Sequence, residues 1–418
     1  MKVLWVVNLV VARGEAVVDP QRATFGGWIS TMLAQLAAQP DLQVAVALRS
    51  PGGPMERREL NGIVHYYIPP SRRDPLDISE ADCRAVLADF QPDLLHAEGT
   101  EMAYTRRFLS AWPGKNIVSL QGVLHGLEPH EYGGLNIEDL IFSLKPGPMI
   151  AGAALAAAKH LQFRPRLKGE ADSLARARAI IGRTEWDRAH AFALNPDAPY
   201  FTVHRILRPA FYGEPWKLEG AERYSLFLSN ALAARKGVHF VMEALAQLRR
   251  HYPDIHLYVA GPAPAPEGLR DWKKQVGYPA YLRHVMKALK VEDIVTFLGV
   301  LSAEEMAARM RKSHVFLLSS LIENSPNSLA EAMAVGTPVV SAYAGGAPDM
   351  AEAGKEALFY RPIDPQMMAW RIRQIFESDD LARSLGAAAR KRAFETHDPR
   401  ANRDRLLAAY RSVMERNA

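Results

Sequence analysis

Short apolar runs rich in β-branched residues alternate along the whole chain with stretches of helical period. The alternation of such runs with helices predicts βαβ units built around parallel sheets. Residues 29–38 have a helical pattern, and Val238, Val241, Leu245 and Leu248 fall on one face of a second helix. The predicted strands are residues 3–8, 44–49, 63–68, 94–97 and 117–120 in the first half, and 226–229, 255–260, 294–298, 315–318 and 338–342 in the second.

The two halves are therefore predicted to be two similar α/β domains. Residues 208–223 join them, because this stretch has no clear period and is rich in proline and glycine. We expect an N-terminal domain over residues 1–207 and a C-terminal domain over residues 208–397. Asp398-Pro399 reads as an N-cap followed by proline at the first helical position, which predicts a last helix over residues 398–418.

An insertion interrupts the first half at about residues 122–169. It is rich in glycine and proline at first, then helical over residues 151–161, and ends with Arg164, Arg166 and Lys168. A basic amphipathic segment of this kind can lie on an anionic membrane, although such a charge cluster is more often a solvated face. Contact of this segment with an anionic membrane is therefore a subsidiary prediction.

Composition narrows the class of protein. The chain has 418 residues, 48% of them apolar and 9% aromatic, which excludes a disordered chain and allows about two to three domains. One cysteine, Cys83, excludes a disulfide framework and multi-cysteine metal sites, so a reducing cytoplasm is expected. The longest apolar run, residues 149–158, is about half of what a spanning helix needs. Residues 1–11 are interpreted as a buried first strand rather than a signal peptide.

Charge and missing motifs exclude several functions. The net charge of +5 is spread along the chain, which favours an anionic small ligand over nucleic acid. The sequence has no glycine fingerprint after the first strand, no Walker-type loop and no Gly-x-Ser-x-Gly elbow, which weighs against dinucleotide, ATPase and hydrolase functions. It also lacks His-Glu-x-x-His and Asp-x-Asp, so no metal site is expected.

Residues 319–338 form the segment richest in candidate chemistry. A buried strand ends in a polar loop, and a helix is predicted from Asn327 or Ser328 to Gly336. Ligands of parallel sheets bind at the carboxyl ends of strands, and a helix N-terminus suits a phosphate. Glu323 and Glu331 could then bind hydroxyls at two points of one polyhydroxylated ligand. Alternatively, Ser328 and Glu331 form a capping box that only closes the helix start.

A second candidate is the loop of residues 229–237, after the first strand of the second half. Lys236 precedes a helix that begins near Val238, so a point charge and a helix N-terminus coincide there. The alternative is an exposed basic loop without a ligand.

Several motifs, taken in order, resemble family 4 of the retaining glycosyltransferases, which have the GT-B fold. Glu323 and Glu331 have the family's Glu-x7-Glu spacing. The likeness covers residues 224–390 well and residues 1–125 more weakly, and its other motifs are Lys236-Gly237, Val259-Ala260-Gly261, Phe297-Leu298-Gly299, Gly336-x-Pro338, Gly345-Gly346, Gly26-Gly27 and Pro92-Asp93-Leu94-Leu95-His96.

The resemblance implies two Rossmann-like α/β/α domains facing a cleft, with the last helix crossing back to the N-terminal acceptor domain. It implies a nucleotide-diphosphate-sugar donor, UDP or GDP, held mainly by the C-terminal domain without a metal or other cofactor. Lys236 would neutralise the diphosphate, Glu323 would bind the transferred sugar and Glu331 the ribose. Backbone amides at Asn327 and Ser328 would meet the distal phosphate, residues Gly299, Val300 and Leu301 would border the base, and Gly26 and Gly27 would approach the phosphates.

The sequence departs from the family pattern at two positions. Asn230 stands where the family usually has an arginine, and Arg235 is a candidate replacement. Gln121 stands where the family often has a histidine, and His125 is nearby; glutamine can donate to a sugar hydroxyl but cannot act as a base. His96 is either a packed strand-end histidine or a ligand. Arg183 either lies near donor or acceptor, or precedes Thr184 as an N-cap with Trp186 packed under the helix.

The predicted function is sugar transfer to an acceptor hydroxyl in bacterial polysaccharide or glycoconjugate synthesis, at a sugar or lipid-linked acceptor on the inner face of the membrane. Two other functions stay open. An epimerase of the same fold would release a free epimerised sugar without an acceptor. A non-catalytic relative would bind nucleotide or polysaccharide without turnover.

Overall fold

The computed structural model describes residues 1–10, 27–72, 74, 77–136, 139, 163–264 and 277–416. The chain divides into two compact units. The first consists of Met1–His125, Arg164–Arg208 and His397–Ala418, and the second of Gly126–Phe163 and Pro209–Thr396.

The first unit is built on an eight-stranded sheet in the order β3-β4-β2-β1-β5-β6-β7-β8. Only the β3–β4 pair is antiparallel; the other neighbours are parallel. The strands are β1 (Lys2–Val10), β2 (Gln43–Arg49), β3 (Glu56–Leu60), β4 (Ile63–Ile68), β5 (Leu94–Glu98), β6 (Asn116–Ser119), β7 (Ile180–Gly182) and β8 (Tyr200–Thr202).

Helices cover both faces of this sheet, so its central strands are buried on both sides and have continuous apolar runs. One face packs against Gly27–Ala37 and the last helix, Pro399–Glu415, and the other against Glu80–Phe90 and Ala103–Ala111. The remaining helical segments of this part of the chain are Leu124–Leu127, Glu128–His130, residues 163–175 and Glu185–Leu194. Of these, Glu128–His130 belongs to the second unit.

The second unit is built on a six-stranded, all-parallel sheet in the order β11-β10-β9-β12-β13-β14. Its strands are β9 (Glu222–Leu228), β10 (His256–Val259), β11 (Val295–Phe297), β12 (Ser313–Leu318), β13 (Val339–Ala342) and β14 (Leu358–Tyr360). Its helices are Val238–Leu248, Tyr278–Ala288, Ala303–Lys312, Asn327–Val335, Ala347–Met350, Pro365–Phe376 and Asp379–Thr396, with short 3-10 turns at Pro209–Tyr212, Leu218–Gly220, Ala234–Lys236 and Glu292–Ile294.

The prediction of two Rossmann-like α/β domains with parallel sheets is confirmed. Every run predicted as a strand overlaps a strand of one of the two sheets, and residues 3–7 are the buried centre of β1. Val238, Val241, Leu245 and Leu248 are all buried on one helix, as their spacing predicts. The last helix also starts as predicted, because the Asp398 carboxylate accepts from the amide of Ala401, 2.6 Å away, and Pro399 is the first helical residue.

The division of the chain differs from the expected one at the insertion. Residues 126–163 belong to the second unit, although the expected N-terminal domain, residues 1–207, included them. The physical reason is a set of contacts at 131–134, where Glu131 pairs with Arg235 and the backbone at Gly133 lies against Ala234. The predicted helix over residues 151–161, and the apolar stretch from 149, lie outside the described residues.

Two general features of the described residues bear on function. Within these ranges no helix is long and apolar enough to cross a bilayer. Cys83 is a free, buried thiol, and burial raises its pKa to about 12, which makes it an inert core residue.

Candidate donor-binding site

The strand order of the second sheet reverses between β9 and β12, which are neighbours in the sheet but not in sequence. Ligands of open parallel sheets bind at such a switch point, outside the carboxyl ends of the strands. The loops that follow β9 and β12 are residues 229–237 and 319–326, the two loops that the sequence singled out. The topology therefore brings the two candidate segments to one place.

Lys236 and Glu323 meet at this switch point. The Lys236 ammonium donates to the Glu323 carboxylate, and the two side chains are 22% and 15% exposed. Charges held together at partial burial attract each other more strongly than in bulk water. The pair thus places a cation beside a carboxylate that can accept hydrogen bonds from hydroxyl groups, and both side chains are partly exposed to solvent.

Backbone hydrogen bonds fix the two loops to each other. The amide of Leu321 donates to the carbonyl of Arg235 at 2.8 Å, and the Ser319 hydroxyl donates to the carbonyl of Lys236 at 2.7 Å. Gly237 has φ +66°, and a Cβ there would lie 2.3 Å from the Ser319 carbonyl oxygen. Only glycine allows this approach, so the residue after Lys236 is part of the site's geometry.

Glu323 is held from its other side by Gly345 and Gly346. The Gly346 amide donates to the Glu323 carbonyl at 2.9 Å. Gly345 has φ +54°, and a Cβ at this position would lie 2.0 Å from the same carbonyl oxygen. The two glycines that follow β13 therefore let its loop close against the loop that carries Glu323.

The helix Asn327–Val335 begins directly after this loop and ends at Gly336, whose φ of +84° is the expected left-handed C-cap. Its N-cap is Pro326, without a side-chain cap. The alternative that Ser328 and Glu331 form a capping box is therefore wrong, because Ser328 is already the second helical residue. Asn327 and Ser328 are half-buried in the first turn of the helix, the end at which the helix dipole favours an anion. Glu331 is 7% exposed, one turn into the helix.

Arg235 and Asn230 occupy different environments from Lys236. The guanidinium of Arg235 binds the carboxylate of Glu131, with Nη1 2.9 Å from Oε2. This ion pair weighs against the expectation that Arg235 replaces the missing arginine at the diphosphate. The side-chain oxygen of Asn230 accepts from the amide of Leu232 at 3.4 Å, which is a local turn contact.

Gly299, Val300 and Leu301, the segment predicted to border the base, follow β11. Gly299 has φ +72° and exchanges two backbone hydrogen bonds with Gly261, at 2.6 and 3.1 Å. Val300 is 65% exposed, while Leu301 is half-buried. An apolar side chain presented to solvent at a sheet edge is compatible with a base platform.

Two residues of the first unit that were predicted as candidate acceptor residues, His96 and Gln121, make polar contacts within that unit. His96 is 1% exposed, with Nδ1 2.6 Å from the Tyr410 hydroxyl and Nε2 2.6 Å from the Ser119 hydroxyl. It is thus held inside the unit, which favours the packed interpretation. The Gln121 amide donates to the carbonyl of Glu98 at 3.2 Å.

His125 is fixed by Glu170. The His125 Nδ1 lies 2.7 Å from a Glu170 carboxylate oxygen, and the same carboxylate accepts from the backbone amides of Leu124 and His125. Glu170 is fully buried, and His125 is about one third exposed. A histidine oriented by a buried carboxylate can bind a hydroxyl through its other nitrogen.

Arg183 and Thr184 combine features of both interpretations offered for them. Thr184 caps the helix Glu185–Leu194 in a capping box with Asp187. Trp186 is half-buried beside His190, with ring centroids 4.5 Å apart. Arg183 is 6% exposed and donates to the carbonyls of Leu120 and Gln121.

A cavity of about 30 Å³ lies at the carboxyl ends of β5, β6 and β7, beside Arg183. This is room for about two water molecules. Its polar lining is His96, Glu98, Ser119, Arg183, His204 and Arg205.

Sequence reasoning missed Glu131, Glu170, Glu98 and Arg205. Glu131 lies 104 positions from Arg235 and Glu170 lies 45 from His125, so no local pattern links the partners.

Gly27 is the first residue of the helix Gly27–Ala37, whereas Gly26 lies outside the described residues. Within the described ranges, no group of three or more His, Cys, Asp or Glu side chains could hold a metal ion.

Comparison with solved structures concerns the fold. The fold resembles sucrose-phosphate synthase from Thermosynechococcus elongatus, with a TM-score of 0.73 at 16% identity over 99% of both chains. It also resembles HepE from Anabaena in a complex with UDP and glucose, with a TM-score of 0.66 at 16% identity, covering 99% of this chain and 100% of HepE. At this identity the likeness concerns the fold, which is GT-B.

The family profile match falls within the second unit. Residues 214–392 match the profile of the family described as Glycosyl transferases group 1. The putative colanic acid biosynthesis glycosyltransferase WcaL of Salmonella typhimurium is 28% identical over 189 residues, which is 44% of this chain and 43% of that protein. The chain thus aligns with less than half the length of this relative.

Proposed function

We propose that this protein is a retaining glycosyltransferase that moves a sugar from a nucleotide-diphosphate-sugar to an acceptor hydroxyl without a metal ion. The observation that carries the proposal is the Lys236–Glu323 pair at the switch point of the second sheet, next to the N-terminus of Asn327–Val335. A sugar diphosphate is bound by a cation and a helix N-terminus at its phosphates, and by a carboxylate that accepts hydrogen bonds from its sugar hydroxyls.

In this proposal each group meets one part of the donor. Lys236 and the amides of Asn327 and Ser328 bind the diphosphate, Glu323 accepts hydrogen bonds from the transferred sugar, and Glu331 does so from the ribose. Without the donor, Lys236 and Glu323 bind each other. When the donor binds, this ion pair is replaced by two contacts: one between Lys236 and the diphosphate, and one between Glu323 and the sugar hydroxyls.

The reaction breaks the bond between the anomeric carbon and the diphosphate oxygen and forms a bond to the acceptor oxygen on the same face. The acceptor hydroxyl proton passes to the leaving phosphate oxygen. Lys236 and the helix N-terminus stabilise the charge that develops on the diphosphate, which is the main catalytic contribution. Glu323 orients the sugar in this scheme and is not a nucleophile.

The family of residues 214–392 and the UDP and glucose bound by HepE support a nucleotide-sugar donor, UDP or GDP. The name of the Salmonella relative supports a role in polysaccharide or glycoconjugate synthesis, at a sugar or lipid-linked acceptor on the inner face of the membrane. His125, Gln121 and Arg183 are the proposed acceptor-side residues, and the basic residues Arg164, Arg166 and Lys168 are the proposed membrane contact.

A thermal-shift panel of UDP-, GDP- and ADP-sugars, followed by turnover assays with excess EDTA, tests the proposal. We expect one nucleotide to raise the melting temperature, free nucleotide to be released only with an acceptor, and the product to keep the donor's anomeric configuration. Release of a free epimerised sugar would show an epimerase, and nucleotide binding without turnover under any acceptor would show a binding protein. Loss of activity in EDTA would contradict metal independence.

A further inference from the structure

The described start of the insertion, residues 126–136, packs on the loop that carries Lys236; we call these residues the arm. The chain enters the arm from the first unit after His125, but the arm belongs to the second unit. It also lies outside residues 214–392, the part of the chain that the family profile covers. The profile therefore does not describe the contacts of the arm.

The arm is anchored by charge and by shape. The Glu131 carboxylate is 7% exposed and binds Arg235 at 2.9 Å, and a buried carboxylate is stable only when such a partner is present. Gly133, at φ +64°, lies so close that a Cβ would be 2.2 Å from the carbonyl oxygen of Ala234. A Cβ at Gly134 would lie 3.0 Å from Ile363 and 3.6 Å from Leu321.

These contacts continue directly into the candidate donor site. Arg235, held by Glu131 through its side chain, accepts through its carbonyl from the amide of Leu321. Lys236 is the next residue, and its ammonium meets Glu323 in the loop of Leu321. The position of Lys236 is thus set between the arm on one side and residues 319–323 on the other.

We propose that Glu131 is a positioning residue for donor binding: by binding Arg235 it fixes the loop that places Lys236 at the diphosphate. This inference rests on the proposed function. It assigns Arg235 to the arm rather than to the donor, so one side-chain cation, Lys236, serves the diphosphate from this loop. A displacement of about 1 Å at such a group lowers activity strongly, because binding and catalysis depend on its geometry.

The test is the affinity of Glu131→Gln for UDP, or for GDP if wild type prefers it, measured by calorimetry. We expect the dissociation constant and the KM for the donor to rise about tenfold with a smaller change in kcat. Glu131→Asp, which keeps the charge, should recover part of the affinity. The double variant Glu131→Gln/Arg235→Gln should bind like Glu131→Gln alone, because Arg235 acts through the same contact.

Glu219→Gln is the matched control, since Glu219 pairs with Arg383 at 2.9 Å in the same unit but on the exposed surface. Tighter nucleotide binding by Glu131→Gln would overturn the inference, because it would mean that the released Arg235 binds the diphosphate itself. Unchanged binding would overturn it as well. If Glu131→Gln does not fold, Glu131→Asp and Gly133→Ala supply the same comparison, and wild-type affinity in both overturns the inference. Absence of nucleotide binding in wild type would instead refute the proposed function.

Discussion

At the scale of single residues, the two main groups of the candidate site, Lys236 and Glu323, form an ion pair with each other. Lys236 and Glu323 neutralise each other in the free protein, so neither charge is left alone in a partly buried place. In the proposed function, the donor competes with Glu323 for Lys236, and its hydroxyls take the carboxylate. Affinity for the sugar diphosphate therefore depends on both residues, while affinity for the nucleotide diphosphate depends mainly on Lys236.

Lys236→Ala is expected to weaken nucleotide diphosphate binding by about 10- to 100-fold. A hydrogen bond to a charged group contributes about 1.5–3 kcal/mol, and each 1.4 kcal/mol is a factor of ten. Calorimetry with UDP or GDP measures the change. Lys355→Ala is the control, because Lys355 also forms an ion pair, with Glu352 at 2.8 Å, but both partners are exposed. Equal affinity of Lys236→Ala and wild type would remove Lys236 from the site.

Gly345→Ala is expected to displace Glu323, since the new Cβ would lie 2.0 Å from the Glu323 carbonyl oxygen. Gly354→Ala is a close control: Gly354 has φ +79°, but a Cβ there meets nothing within 4 Å. Gly354→Ala should lose about 1–2 kcal/mol of stability from the left-handed backbone alone, and Gly345→Ala should lose more because of the added clash. Only Gly345→Ala should also lose most of its sugar transfer, and equal turnover in both variants would contradict this role of Gly345.

At the scale of elements, strands that lie within longer apolar runs were predictable, even where the strand itself is as short as β11, whereas strands outside such runs were not. The missed strands β8 and β14 have three residues each and lie outside longer apolar runs, and β3 (Glu56–Leu60) is an edge strand with the sequence ERREL. The helix Asn327–Val335 was predicted at both ends, but its capping was not. A serine followed by glutamate three positions later fits a capping box, yet Pro326 is the N-cap.

The last helix depends on a contact that no sequence pattern contains. The Tyr410 hydroxyl accepts from Trp5 Nε1 at 3.0 Å and lies 2.6 Å from His96 Nδ1, and all three side chains are buried. Trp5 is 405 positions away in the chain. The amphipathic pattern of the helix predicts that it packs on a core, whereas this polar contact fixes which part of the sheet it meets.

Tyr410→Phe should therefore destabilise the protein by about 1–3 kcal/mol, the cost of leaving the buried Trp5 N–H without its acceptor. Denaturant unfolding followed by tryptophan fluorescence measures the loss. Tyr343→Phe removes a hydroxyl from a side chain that is 60% exposed and should change stability by less than about 0.5 kcal/mol. Similar stability of the two variants would show that the Tyr410 contact does not hold the helix.

At the scale of the whole molecule, the chain passes between its two units four times, after residues 125, 163, 208 and 396. Sequence patterns predicted the last two passages, because a proline- and glycine-rich joint and a helix N-cap mark them. The first two depend on Glu131, Gly133 and their partners around residues 234–235, which only the folded chain brings together. In the same way, the motifs predicted the candidate donor site but not the arm that contacts it.

Buried histidines in both units predict acid sensitivity of the whole molecule. Burial lowers the pKa of His239, His314 and His397 to about 4. An unfolded histidine titrates near 6.5, so below that pH the unfolded chain binds more protons than the folded one. Stability is therefore complete above about pH 6.5 and falls as the pH drops towards 4, by roughly 2 kcal/mol for each histidine at pH 5.

His314 offers the clearest test of this pH dependence. Its Nδ1 accepts from the amide of Tyr224 at 3.3 Å, and its ring stacks on Phe376 with centroids 5.0 Å apart, so a proton would both charge the ring and break the hydrogen bond. Arg223 nearby opposes that charge, while Asp379 favours it. Between pH 8 and pH 5, the melting temperature of His314→Gln should fall less than that of wild type. The melting temperature of His251→Gln, a variant at an exposed histidine, should fall as much as that of wild type. Parallel pH profiles for all three proteins would mean that His314 is protonated equally in the folded and unfolded states.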